Sequence, residues 1–138
     1  MFQKLRHFYQ VKIIKHLSER NFLILAILWT IGVTVASLAS LKNIPAISIP
    51  GNDKTAHFVF YFVFFVLWYF GLKRVVKYHR FDLILVLVTL FYGICMEFFQ
   101  AKLTANRQAD PFDVLANALG TLTGFFMILL YTRIRKLK

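Results

Sequence analysis

Outside the basic segments at residues 1–21, 73–80 and 133–138, polar and ionisable side chains gather in two stretches of this apolar chain. The first runs from Asn52 to His57 and holds an aspartate, a lysine and a histidine. The second runs from Glu97 to Gly124 and holds a glutamate, amides, an arginine and two aspartates. Ionisable groups at the margin of a membrane segment are costly and usually functional. We therefore expect the two stretches to meet in space and form one site.

Composition indicates an integral membrane protein. The 138 residues are 59% hydrophobic and include 16 Phe, and the mean hydropathy is +0.62, which is too apolar for a soluble domain of this length. The formal net charge is +11. Basic residues in such a chain mark topology and contact lipid headgroups, so we expect membrane lipids as partners and no nucleic acid. The single Cys95 allows no intrachain disulfide, and no Pro- or Gly-rich linker divides the chain.

The apolar runs predict an all-α fold, a bundle of four transmembrane helices. The spans are residues 22–41, 53–72, 81–101 and 112–132. Residues 1–21 form a basic amphipathic segment, either a helix in the membrane interface or a basic tail, and residues 133–138 form a basic C-terminal tail. A cleaved signal peptide is the alternative for the first span, because residues 37–39 (Ser-Leu-Ala) have small side chains at cleavage-like positions. The long basic leader and the length of the apolar run favour a span.

Lys and Arg are distributed unevenly between the two ends of these spans. Thirteen of the seventeen lie in the N-terminal segment, in residues 73–80 or in the C-terminal tail, whereas four of the six acidic residues lie at the other end. The positive-inside rule then places both termini in the cytoplasm. All candidate site residues fall at the extracytoplasmic ends of the helices. They are Asp53, Lys54, His57, Glu97, Gln100, Arg107, Asp110, Asp113 and Asn117.

Glu97 and His57 are the candidate catalytic residues. On a helix that begins near Phe81, Glu97 lies about 24 Å along the axis. That depth is inside the outer margin of a hydrocarbon core about 30 Å thick. A carboxylate there needs a cationic partner or takes up a proton. A carboxylate beside an imidazole suits proton transfer near neutral pH, so we expect Glu97 and His57 to form an acid/base pair.

The remaining candidates are assigned to ligand binding. Arg107 carries planar donors that suit phosphate or carboxylate, and Lys54 would add a second positive charge. The others also have structural interpretations, because aspartates favour helix N-termini and amides often join helices. These others are Asp53, Gln100, Asp110, Asp113 and Asn117. Ala116, Gly120 and Gly124 form a row of small residues that is typical of closely packed membrane helices.

Three motifs carry these polar residues in order along the chain. They are D-K-x-x-H from Asp53, E-x-x-Q from Glu97 and R-x-x-D-x-x-D-x-x-x-N-x-x-G from Arg107. On four hydrophobic segments, this set resembles the VanZ-like family of small bacterial membrane proteins, over residues 22–132. The resemblance implies a bacterial inner-membrane protein. It also implies a link to glycopeptide resistance, because the family's namesake is associated with low-level resistance to teicoplanin.

Three hypotheses about function follow from the polar residues. The first is a site that binds or processes an anionic cell-envelope ligand, such as a lipid-linked cell-wall precursor. The second is a non-enzymatic accessory subunit of a larger envelope assembly, such as a secretion or transport complex, in which the polar residues hold helices together. The third is a divalent cation held by an oxygen-rich set with one imidazole. Because no compact metal motif is present, the favoured interpretation includes no metal and no cofactor. The set for the third hypothesis is Asp53, His57, Glu97, Asp110 and Asp113.

Overall fold

Four α-helices make up the described part of the chain. The computed structural model describes residues 2–38, 52–103 and 110–137, and these ranges contain no strand. The helices are α1 (Phe2–Leu38), α2 (Asn52–Leu72), α3 (Phe81–Leu103) and α4 (Pro111–Lys136). Each contains a segment long and apolar enough to cross a membrane. The prediction of an all-α bundle of four transmembrane helices is confirmed.

The N-terminal helix is longer than the sequence pattern indicated. One continuous helix covers Phe2–Leu38, and its membrane-spanning part is Glu19–Leu38. The basic N-terminal segment therefore continues the first spanning helix, and the helix has no break near residue 21. The physical reason is the lack of a helix breaker, since neither Pro nor Gly occurs before Gly32.

Helix α2 occupies the centre of the bundle. It packs against α1, α3 and α4, whereas α1 and α4 do not contact each other within the described residues. Phe65 of α2 is fully buried, in a cluster with Leu85 and Val86 of α3 and Ile128 of α4. Lipid tails are as apolar as these side chains, so close packing, rather than exclusion of water, favours this cluster.

The tightest helix crossing lies between α2 and α4. A Cβ built on Gly120 would lie 2.2 Å from the carbonyl oxygen of Phe58, and one built on Gly124 would lie 3.1 Å from the ring of Phe65. Ala116, one turn before Gly120, is also buried. The backbone of α4 therefore approaches the backbone of α2 directly, immediately beside His57.

Hydrogen bonds from indole groups join α1 to α2. The Trp29 Nε1–H donates to the carbonyl oxygen of Phe60 at 3.0 Å. The Trp68 Nε1–H donates to Thr30 Oγ1, also at 3.0 Å. Such bonds link helices where lipid offers no competing partner.

The two ends of the bundle differ in their ionisable groups. One end of the bundle contains the C-termini of α1 and α3 and the N-termini of α2 and α4. The described candidate residues lie at this end. At the opposite end, Arg74 pairs with Glu19. The antiparallel order of the helices thus brings the two polar stretches together.

Candidate functional site

His57 lies at the centre of the polar cluster. It sits in the second turn of α2 and is only 6% exposed. Its Nδ1 is 3.0 Å from Oδ1 of Asn117 on α4 and 3.7 Å from Oε1 of Glu97 on α3. Asn117 and Glu97 are themselves buried. One imidazole edge therefore faces polar side chains of both α3 and α4.

The other edge of the imidazole faces two aspartates. His57 Nε2 is 3.8 Å from Asp53 Oδ1 and 3.8 Å from Asp113 Oδ2. Asp53 is one turn earlier on α2, so it shares the face of His57. Asp113 comes from the first turn of α4 and is buried. Together with Glu97, three carboxylates surround a single imidazole.

Lys54 is paired with two carboxylates at the start of α4. Its Nζ is 2.9 Å from Asp110 Oδ2 and 3.5 Å from Asp113 Oδ1. Asp110 is the N-cap of α4, and its side chain accepts a hydrogen bond from the N–H of Phe112 at 2.8 Å. The hydrogen bond from Lys54, followed by that from Phe112, holds the pKa of Asp110 below its ordinary value. Asp110 therefore stays ionised at neutral pH, and its pair with Lys54 fixes the start of α4 against α2.

Gln100 connects the cluster to α1. Its side chain is 3% exposed, and its Nε2 donates to the carbonyl oxygen of Ser37 at 2.9 Å. This carbonyl lies in the last turn of α1, where backbone acceptors lack helical partners. The amide of Gln100 thus satisfies a helix end and closes the site on the α1 side.

A small polar cavity opens beside His57. Its volume is about 70 Å³. A larger apolar groove of about 430 Å³ runs between α1 and α2, and Phe60 lines both spaces. The polar cavity is lined in part by Ser37, Asp53, His57, Phe60 and Gln100. The groove is lined in part by Leu25, Trp29, Gly32, Val33, Phe60 and Leu67. A polar cavity and an apolar groove are therefore neighbours along the α1–α2 boundary.

The structure brings eight of the nine sequence-predicted site residues to this end of the bundle. Seven form the network around His57 and Lys54, and Gln100 lies at the cavity wall. Arg107 lies outside the described residues. The seven are Asp53, Lys54, His57, Glu97, Asp110, Asp113 and Asn117. Their roles in binding or catalysis remain predictions.

Two residues near the site, Ser37 and Tyr61, are not among the candidates predicted from the sequence. Ser37 provides the carbonyl that Gln100 contacts, and a single serine among small residues gave no signal. Tyr61 is 2% exposed, and its ring would lie 3.1 Å from a Cβ on Gly93. Gly93 lies four residues before Glu97 and seven before Gln100, so the three share one face of α3. This spacing was a usable signal, because a glycine on a polar helix face leaves room for a bulky neighbour.

A protein-family model identifies the family of this chain. The model of the VanZ/LLP1 family matches residues 2–132. The chain belongs to the VanZ/LLP1 family. With four helices able to span a membrane, this family member is a multi-pass membrane protein.

One curated relative is eukaryotic. Uncharacterized protein C11E3.10 of Schizosaccharomyces pombe is 39% identical over 103 residues, which cover 70% of this chain and 59% of the relative. The VanZ/LLP1 chain therefore spans less than two thirds of the length of that relative. No solved structure matches the chain. Because a relative occurs in yeast, similarity alone does not identify a bacterial membrane.

Proposed function

We propose that this VanZ/LLP1 protein binds an anionic, lipid-anchored ligand of the cell envelope. The ligand's headgroup would lie at the polar cavity beside His57, and its tail would lie in the groove between α1 and α2. The proposal assigns the chain to a bacterial inner membrane, as the family resemblance implies. Both termini would lie in the cytoplasm, because the Lys and Arg residues are concentrated at the opposite end of the helices. The headgroup site would then face the outside of that membrane.

The observation that carries the proposal is the adjacency of the polar cavity and the apolar groove. Phe60 lines both, and its carbonyl oxygen accepts the hydrogen bond from Trp29 that fixes α1 against α2. Gly32 opens the groove, because a Cβ built there meets no atom within 4 Å. A ligand with a polar headgroup and an apolar tail would match a polar cavity next to an apolar groove. A soluble metabolite has no apolar tail to occupy the groove.

The excess of carboxylates in the cluster disfavours an anionic headgroup unless positive charge is added. Four carboxylates in the described cluster outnumber its two basic groups, and Lys54 is already paired with Asp110 and Asp113. An anionic headgroup therefore needs further positive charge. Arg107, three residues before Asp110, can supply it through a planar fork of donors.

Processing of the ligand would fall to Glu97 and His57. Nδ1 of His57 and Oε1 of Glu97 are 3.7 Å apart, and both residues are buried, so proton transfer between them would be shielded from bulk water. Glu97→Gln keeps the shape of the side chain and removes the titratable group. If the ligand is processed, this variant should bind it and fail to turn it over.

Binding of a polyprenyl phosphate to the purified full-length chain in nanodiscs tests the proposal. We expect Gly32→Leu, which fills the groove, and Arg107→Ala, which removes the fork, each to weaken binding by about tenfold or more, equivalent to about 1.4 kcal/mol. Val35→Phe is the matched control for Gly32→Leu. It adds the same number of side-chain carbons to α1 at an exposed position that does not line the groove.

Three results would count against lipid binding. The first is a wild-type chain that binds the polyprenyl phosphate no better than a neutral lipid. The second is equal weakening of binding by Gly32→Leu and Val35→Phe, which would mean that the groove does not hold the tail. Recovery of the wild-type chain only with a stoichiometric protein partner, and without lipid, would favour the accessory-subunit hypothesis instead.

A further inference from the structure

Three metal-ligand atoms converge beside the polar cavity, whose lining includes Asp53 and His57. Single ligand atoms of Asp53, His57 and Asp113 all lie within 4.8 Å of one another. A cation bonded at about 2.0–2.2 Å holds neighbouring ligand atoms about 3–3.5 Å apart. The two 3.8 Å distances from His57 Nε2 would therefore need to shorten by about 0.3–0.8 Å, and the two aspartate oxygens, which lie within 4.8 Å of each other, would also need to approach. Asp53 is half exposed, so its side chain has room to make that adjustment.

The opposite edge of His57 is held as it is in known metal sites. A histidine that binds a metal through one nitrogen usually donates its other N–H to an oxygen, which fixes the tautomer and the ring orientation. Asn117 Oδ1 lies 3.0 Å from Nδ1, on a residue that is 2% exposed. With the proton on Nδ1, the lone pair of Nε2 points towards Asp53 and Asp113.

The charge of the cluster also favours a cation. Asp53, Glu97 and Asp113 lie within 3.8 Å of His57, and Asp110 is close by. Four carboxylates outnumber Lys54 and the imidazole even when the imidazole is protonated. The two carboxylate oxygens of Asp113 have different neighbours: Oδ1 lies near Lys54 and Oδ2 lies near His57. One oxygen of each aspartate is therefore directed to the space in front of Nε2.

From this geometry we propose that Asp53, His57 and Asp113 bind a divalent cation of the zinc or manganese class. One imidazole nitrogen and two carboxylate oxygens suit these ions better than Mg²⁺ or Ca²⁺, which prefer oxygen ligands throughout. The cation's role rests on the proposed function, since it would give the acidic cavity the positive charge that an anionic headgroup requires. The binding site itself does not depend on that function.

Titration of the full-length chain with Zn²⁺ tests the site. The protein is purified in detergent, stripped with a chelator and titrated calorimetrically, and Mn²⁺ binding is followed by electron paramagnetic resonance. We expect one ion per chain. His57→Gln and Asp113→Asn should weaken binding by about 100-fold or more. Asp82→Asn, which removes a carboxylate from the first turn of α3 at the other end of the bundle, should leave binding unchanged.

Asp53→Asn keeps the test decisive if a buried variant fails to fold. Asp53 is half exposed, so its neutral form should leave the thermal unfolding of the apo protein unchanged and still weaken Zn²⁺ binding by about tenfold. The absorption spectrum of the Co²⁺-substituted protein should also change in this variant. The proposal is overturned if the wild type binds no stoichiometric Zn²⁺ or Mn²⁺. It is equally overturned if His57→Gln and Asp53→Asn bind as the wild type does.

Lipid binding with and without the ion separates the two proposals. Zn²⁺ binding without any polyprenyl phosphate binding would leave the cation site standing and remove the proposed function. If the chain binds no ion, and its binding of polyprenyl phosphate is unaffected by the chelator, the cation site is removed and the proposed function stands. If both hold, we expect the chelator to weaken lipid binding, and re-addition of Zn²⁺ to restore it.

Discussion

Gly120→Ala should separate α2 from α4 and destabilise the bundle. The added Cβ would lie 2.2 Å from the carbonyl oxygen of Phe58 and 3.1 Å from the backbone nitrogen of Phe62. Neither contact is with a flexible side chain, so the two backbones must move apart by about 1 Å to restore an ordinary contact. Overpacking of this kind costs about 1–3 kcal/mol. The better helix propensity of alanine offsets up to about 1 kcal/mol. With the full offset the net loss in the free energy of unfolding is about 0–2 kcal/mol, and we expect the upper half of that range because both clashes are with backbone atoms.

Two other glycines provide matched controls for the same substitution. At Gly32 the new Cβ meets nothing within 4 Å, so only the propensity gain applies and stability should be unchanged or higher. At Gly124 the Cβ would lie 3.1 Å from a ring carbon of Phe65, which can shift by a few tenths of an ångström, so a smaller loss is expected. The predicted order of stability is Gly32→Ala, then Gly124→Ala, then Gly120→Ala.

Unfolding by sodium dodecyl sulfate in mixed micelles, followed by circular dichroism, gives the free energies for this series. The separation of α2 and α4 should also move His57 away from Asn117, so the imidazole nuclear magnetic resonance signals should shift in Gly120→Ala. Equal stability of Gly120→Ala and Gly32→Ala would refute the close α2–α4 crossing. A stable Gly120→Ala with unchanged imidazole signals would show that this crossing does not position the site.

Three further predictions concern single contacts and topology. Asn117→Ala should cost about 1–3 kcal/mol of stability, because it leaves Nδ1 of His57 without its buried partner at 3.0 Å; no loss in the same unfolding assay would contradict this pairing. A double-mutant cycle of Lys54→Met and Asp110→Asn should show a favourable coupling that shrinks as salt is raised, since the pair is partly exposed; a coupling of zero at low salt would mean that the contact does not hold α4. Val75→Cys, in a background without the native cysteine, should react with a membrane-impermeant maleimide only from the cytoplasmic side; labelling of intact cells from outside would reverse the assigned orientation.

Helices and helix starts could be predicted from the sequence, because each depends on residues that are close together in the chain. Long apolar runs give spanning helices because a membrane segment must satisfy its backbone hydrogen bonds internally. Asp110 followed by Pro111 gives a helix start, and the structure has Asp110 as the N-cap of α4. The basic N-terminal segment and the first span differ in composition, but no Pro or Gly separates them, and one helix covers both.

The alternation of four spans also fixed which end of the bundle holds the polar residues. Successive membrane crossings must reverse direction. The start of the second span and the end of the third span therefore lie at the same membrane face. Asp53 and Glu97 therefore had to lie at the same end whatever the packing. That constraint follows from chain order alone and needs no tertiary contact.

Only the tertiary structure decided which partners meet within that layer. Asn117 lies 60 residues from His57 in sequence, and the two atoms come within 3.0 Å because α4 crosses α2 closely at Gly120. The same packing places Lys54 beside Asp110 and Asp113, and it brings the side chain of Gln100 to a backbone carbonyl of α1. Helical periodicity assigns a residue to a face of its own helix, but rotation and approach of neighbouring helices depend on how side chains fit across them. The sequence by itself determined four helices and a polar end; the fit of those helices determined the carboxylates around one imidazole.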